Sequence, residues 1–208
     1  MVTTLNLTLE AHDLTCIRGH RVLFRGLGFS VAAGQTLSLE GPNGAGKTSL
    51  LRILAGFMAP ETGTIRLKTN SGEVAESEER GQEVGWLGHK DAVKPQLTVR
   101  EQLVFAAALY GGGDIDGAMA EFGIAPLAEL PGQYLSAGQK RRLAFARLKL
   151  SARPLWLLDE PLAALDTAGK ALAAMTITTH CAAGGIVIAA THDPLGVSCE
   201  TLRLEGRA

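Results

Sequence analysis

The segment Gly41-Pro42-Asn43-Gly44-Ala45-Gly46-Lys47-Thr48 carries the strongest chemical signal in the chain. Glycines flanking a four-residue spacer let a loop turn its backbone N–H groups inward, toward phosphate oxygens. A helix that starts at the end of the loop adds a partial positive charge. In this Walker A pattern Lys47 is placed to reach the β- and γ-phosphates of a nucleotide. Thr48 is placed to hold Mg²⁺ through its hydroxyl, and Ser49 completes the binding loop. A second signal is Asp159-Glu160, which closes the apolar run Leu155-Trp156-Leu157-Leu158. A carboxylate at the end of a strand holds Mg²⁺ directly or through water, and the neighbouring Glu160 orients or deprotonates an attacking water. A third is Leu135-Ser136-Ala137-Gly138-Gln139. Its S-x-x-Q spacing opens a helix. Glycine inside a helix costs about 1 kcal/mol, so Gly138 implies close approach by another group, with a negative ligand the natural candidate.

These groups need elements to carry them. Thr36–Glu40 reads as a short strand entering the Gly41 loop. Leu50, Ile53, Leu54 and Phe57 have helical spacing after it, and Gly56 and Pro60 mark the helix end. The alternation of Leu5, Leu7 and Leu9 predicts a half-buried strand, with further strands at 21–31 and 64–68. Residues 69–83 are polar, acidic and rich in Gly and Ser, and read as a solvated loop. Val84–Leu87 returns to the core. Thr98-x-x-Glu101 is a capping box for a helix running to Tyr110, which Gly111-Gly112-Gly113 stops. A short helix is expected near 116–122 and another from the Ser136 cap through Lys149. The runs at 155–159 and 186–190 are continuous and apolar, as in parallel strands buried on both faces, and the second ends at Thr191-His192-Asp193. Residues 171–192 lack charged side chains, but Thr176, Thr178, Thr179, His180 and Gly184-Gly185 interrupt them. They read as a buried helix, a glycine stop and a buried strand, not as a membrane span. The whole pattern is one α/β domain over 1–208, with parallel strands at its centre and a helical insert at about 95–150.

Taken together, GPNGAGKT, LSAGQ, LWLLDEP, Ala164-Leu165-Asp166 and THD resemble the ATP-binding cassette ATPases over nearly the whole chain. The resemblance implies a P-loop NTPase core with a parallel central sheet, an antiparallel β lobe and a helical subdomain insert. It also implies ATP with Mg²⁺ and a head-to-tail homodimer. Each ATP would lie between the Walker A loop of one copy and the signature, Ser136 to Gln139, of the other. His192 would touch the γ-phosphate in cis, Asp166 would couple the two sites, and integral membrane transporter subunits would be the partners. Within the family, GWLGHKDAVKPQLTVREQL, YLSAGQKRRLAFARL and GGIVIAATHDPL resemble the ATPase subunit of the bacterial haem exporter of cytochrome c maturation. That resemblance implies a peripheral ATPase on the cytoplasmic face of the inner membrane, serving haem delivery to a periplasmic haem chaperone. Another small-molecule exporter, a soluble cassette protein without a transport role and a small-molecule P-loop kinase are the competing readings.

Three positions depart from the family pattern. Lys90 stands at the position expected for the Q-loop glutamine; an ammonium can pair with phosphate but has no acceptor for Mg²⁺, so His89 beside it is the other candidate. Arg18 stands where an aromatic usually stacks on adenine, and a guanidinium can stack on a base. Ala137 replaces a glycine at a helix start, with little effect expected.

Composition sets the outer limits. The chain has 208 residues, 46% hydrophobic and 20% charged, which excludes disorder as its main state. A net charge of −1 provides no basic field, so no nucleic-acid partner is expected. Cys16, Cys181 and Cys199 lack CxxC spacing, which argues against a disulfide scaffold and a zinc site. No basic stretch followed by an apolar run opens the sequence, so no signal peptide is expected. None of the five histidines lies in a CxxCH motif, so a haem cargo need not touch this chain.

Overall fold

The computed structural model describes residues 7–70 and 72–205. The chain opens with an antiparallel pair, β1 (Thr8–Arg18) and β2 (Arg21–Ala32), and then enters the central sheet at β3 (Thr36–Glu40). The Gly41 loop leads into α1 (Lys47–Leu54). There follow β4 (Thr62–Thr69), β5 (Gly72–Val74), α2 (Ser77–Gln82) and β6 (Val84–Leu87). Helices α3 (Val99–Tyr110), α4 (Ile115–Glu121) and α5 (Ala137–Leu150) come next. The chain closes with β7 (Leu155–Asp159), α6 (Thr167–Ala182), β8 (Ile186–Ala190) and β9 (Glu200–Arg203). Among the described residues the strands form two sheets. One is parallel throughout, in the order β6-β7-β8-β3-β9; the other is antiparallel, in the order β2-β1-β4-β5.

The continuous apolar runs sit at the centre of the parallel sheet because both of its faces are covered. Successive side chains point to opposite faces. Leu155, Leu157, Ile186 and Ile188 accordingly pack with the antiparallel lobe and α1. Trp156, Leu158, Val187 and Ala189 pack on the other side with the helical insert and α6. The strand order is what builds the site. β8 lies between β7 and β3, so the loops leaving all three meet at one carboxyl edge of the sheet.

Two expectations are corrected. Residues 69–83 do not form a solvated loop: they hold β5 and α2, and Arg80 is buried, 4% exposed. Arg80 Nε donates to the Leu54 carbonyl at 2.9 Å and Nη1 to the Ala75 carbonyl at 2.9 Å, so it satisfies a carbonyl left open at the end of α1. Helix α6 is not fully buried either. Ala173, Thr176 and Ile177 face the core while Met175 is exposed. Its threonines are accommodated locally: Thr176, Thr178 and Thr179 each donate to the carbonyl four residues earlier. Strand β9, at the sheet edge, was not anticipated. Leu5, expected to begin the first strand, lies outside the described residues. Among the described residues no helix is long and apolar enough to cross a membrane.

Candidate nucleotide site

The loop between β3 and α1 is shaped by its glycines. Gly41 has φ 145°, and a Cβ there would lie 2.3 Å from the Leu204 carbonyl oxygen, so a side chain cannot be fitted. Gly46 (φ 104°) precedes the first residue of α1 and provides no side-chain cap, which leaves the first N–H groups of that helix open to an anion. Lys47 is buried among these groups, 8% exposed. Its Nζ donates to the carbonyls of Gly41 (2.6 Å) and Pro42 (3.3 Å). Thr48, one residue on, donates its hydroxyl to Asp159 at 3.0 and 3.2 Å, across from β7.

Glu160 follows at the sheet edge with φ 49°, a left-handed backbone uncommon for a non-glycine residue, and its N–H donates to the Ala190 carbonyl at 2.8 Å. The loop after β8 then brings His192 between the two strand ends. Its Nε2 lies 3.0 Å from Asn43 Oδ1, 3.3 Å from Lys47 Nζ and 3.6 Å from Glu160 Oε1. One imidazole nitrogen thus faces the phosphate-type loop, the lysine and the carboxylate together. These residues line an open cleft of about 1170 Å³. Arg21, Arg52 and Lys90 add cationic groups to its walls, and Trp86 and His89 line it as well. The cations outnumber Asp159 and Glu160, which suits a polyanion such as a triphosphate.

The structure also brings His89 and Lys90 to the cleft, but not Arg18. The Arg18 guanidinium reaches Met58 Sδ at 3.4 Å, and Arg21 lines the cleft in its place, across the turn at Gly19. Arg21 and Arg52 belong to no motif, and Trp86 lies in the GWLGHKDAV segment without a role assigned from the sequence. Only the closeness of Arg21 to Arg18, across the Gly19 turn, could have suggested Arg21.

Ser136 caps α5 with both capping-box bonds: Ser136 Oγ accepts from the Gln139 N–H (3.2 Å), and Gln139 Oε1 accepts from the Ser136 N–H (2.8 Å). Ser136 and Ala137 are exposed, and no residue of 135–139 lines the cleft that holds Lys47. Gly138 has a reason within its own chain, since a Cβ would lie 3.0 Å from the Ala164 carbonyl oxygen. The close approach expected there is made by this carbonyl. Asp166 caps α6 by accepting the Gly169 N–H at 2.8 Å and also accepts from Arg142 Nη2 at 2.9 Å. The Gly169 N–H first and Arg142 second hold its carboxyl below the usual range. The Asp166 loop is thereby tied to the helix that Ser136 begins.

The family described as ABC transporter matches residues 24–163. A relative from Rhodopseudomonas palustris (strain BisB5), named cytochrome c biogenesis ATP-binding export protein CcmA, is 46% identical over 202 residues, covering 96% of this chain and 99% of that one. Proteins of the same name from Nitrobacter winogradskyi and Paramagnetospirillum magneticum are 48% and 49% identical. The first covers 96% of this chain and 99% of its own length; the second covers 89% and 88%. Among solved structures, an ATP-binding subunit of an ABC transporter superposes with a TM-score of 0.82 at 22% identity, covering 96% of this chain and 88% of that one. An ABC transporter ATP-binding protein from Pyrococcus furiosus gives 0.80 at 22% identity, with 95% and 97% covered. Both structures share the fold.

Proposed function

Because this chain belongs to the ABC transporter family and is an ATPase of that family, we propose that two copies close head to tail around ATP and energise an export step in cytochrome c biogenesis. One observation carries the dimer. Lys47, Thr48, Asp159, Glu160 and His192 share a cleft, while Ser136 and Ala137 stand exposed at the start of α5, outside it. A signature of this chemistry, an exposed helix N-terminus with an open approach, fits a triphosphate held by another copy.

Each group then has a task. The loop N–H groups and Lys47 bind the phosphates. Lys47 exchanges its carbonyl partners for phosphate oxygens, a stronger charge-assisted contact. Thr48 and Asp159 are hard oxygen donors within 3.2 Å of each other, which fits Mg²⁺. Thr48 and Asp159 would hold the ion, which would supply charge neutralisation for the phosphates. Glu160 accepts the proton of the attacking water, and His192 holds the γ-phosphate end of the cleft. Ser136 and Gln139 of the second copy close the site from the other side. Arg18 and Arg21 lie at the turn where adenine would stack, and Arg21 is the one already facing the cleft.

The export role rests on the relatives named for cytochrome c biogenesis, which match almost end to end. Haem, delivered to a periplasmic chaperone, is the cargo this reading assigns. The membrane subunits would dock on the apolar groove between Trp86 and the exposed Phe105, Leu109 and Tyr110 of α3, which would place the ATPase on the cytoplasmic face of the inner membrane.

The test is Glu160→Gln. It should bind ATP and Mg²⁺, lose turnover by about 10²–10⁴-fold, and form a stable dimer with ATP seen by light scattering. A variant that stays monomeric with ATP speaks against the head-to-tail arrangement.

A further inference from the structure

The loop that brings His89 and Lys90 to the cleft has no regular backbone pairing of its own. Its carbonyls are held instead by side chains of α5. Arg141, 3% exposed, donates from Nη1 to the Gly88 carbonyl (3.0 Å) and from Nη2 to the His89 carbonyl (3.3 Å). Arg147 donates from Nη1 to the Ala92 carbonyl at 3.0 Å and from Nη2 to the Asp91 carbonyl. The Asp91 carboxylate lies 3.1 Å from Arg141 Nη1 as its counter-charge. A buried guanidinium is costly without such partners, and here both arms of the Arg141 fork end on main-chain oxygens of one loop. The helix that provides Arg141 is the one that begins at Ser136. At 1.5 Å per residue, Arg141 stands only about 7 Å along it from the exposed signature.

We propose that Arg141 is a positioning residue for ATP hydrolysis: it clamps the loop Gly88–Asp91 to the signature helix, so that His89 and Lys90 in one cleft move with the half-site this chain offers to the other. The proposal rests on the ATPase reading and adds a mechanical link between the two half-sites. The link runs through main-chain carbonyls, so it depends on the fork of an arginine and not on its charge alone.

The test uses the full chain with Arg141→Gln and Asp91→Asn combined, which removes both charges and strands neither. The expected result is a KM for ATP within about threefold of the parent and a kcat at least about tenfold lower. Trypsin should cut after Lys90 at least about tenfold faster, while the thermal midpoint changes little. Arg141→Lys keeps the charge but not the fork, and should show the same loss of kcat and of protection. Parent kcat and parent protection in the double variant overturn the proposal. If the double variant does not fold, Arg141→Lys decides alone, and parent behaviour in it is contradictory. Protection of Lys90 is read without turnover. A parent chain that failed to hydrolyse ATP would therefore count against the ATPase reading and leave the clamp readable.

Discussion

In the resting cleft Lys47 holds two loop carbonyls and stands beside His192, so its ammonium is already aimed where phosphate oxygens would arrive. A charge-assisted contact of this kind contributes about 1.5–3 kcal/mol, and Lys47→Ala should weaken ATP binding by roughly 10–150-fold in calorimetry. Unchanged affinity would remove the loop from the account. A residue outside the cleft contributes to acid sensitivity. His180 stacks on Trp156 at 3.8 Å and 8°, and burial pushes its pKa down to about 4. It is neutral in the folded chain and takes up a proton in the unfolded chain below about pH 6.5. Its stabilising contribution is therefore complete above pH 6.5 and is lost as the pH falls toward 4, by up to about 3 kcal/mol. His180→Phe keeps the ring stack and should lose less stability between pH 7 and pH 4.5 by urea denaturation. Parallel losses in the two chains would contradict the assignment. At this scale the sequence was legible wherever spacing is fixed by chemistry, as with Lys47, Thr48, Asp159 and His192. It was silent on Arg141 and Arg80, whose partners are main-chain carbonyls from distant segments, because such partners leave no motif.

Helices α3 and α5 begin with the same device, a complete capping box, at Thr98 and at Ser136. Their roles differ, and substitution separates them. Thr98→Ala should cost about 1 kcal/mol of stability and leave kcat unchanged. Ser136→Ala should cost a similar amount and in addition lower kcat, because in the proposed dimer its hydroxyl would also face the second copy's triphosphate. Equal kcat in both variants, measured at saturating ATP, would reduce Ser136 to a cap. Both helix starts were readable because a capping box occupies four consecutive positions. The doubly buried strands β7 and β8 were readable from their unbroken apolar runs. β5, α2 and β9 were not. They are three to six residues long and mostly exposed, so burial imposes no period on them. What fixes them is tertiary: α2 is held by Arg80 under the end of α1, and β9 by its pairing with β3.

Across the whole molecule, the strand order gathers three loops at one edge of the parallel sheet and leaves residues 135–139 outside the cleft those loops line. In the proposed dimer a single chain provides the phosphate-binding half of one site and, at the exposed start of α5, a half that its own cleft does not use. Turnover should accordingly rise more steeply than linearly with protein concentration until the dimer saturates. The most direct measurement is mixing two inactive chains, Lys47→Ala and Ser136→Glu. In a mixed pair one site combines both defects. The other combines the intact Lys47 loop of one copy with the intact Ser136 helix of its neighbour. ATP hydrolysis in the mixture should run well above the sum of the two chains assayed alone. A mixture no more active than that sum would contradict the head-to-tail dimer.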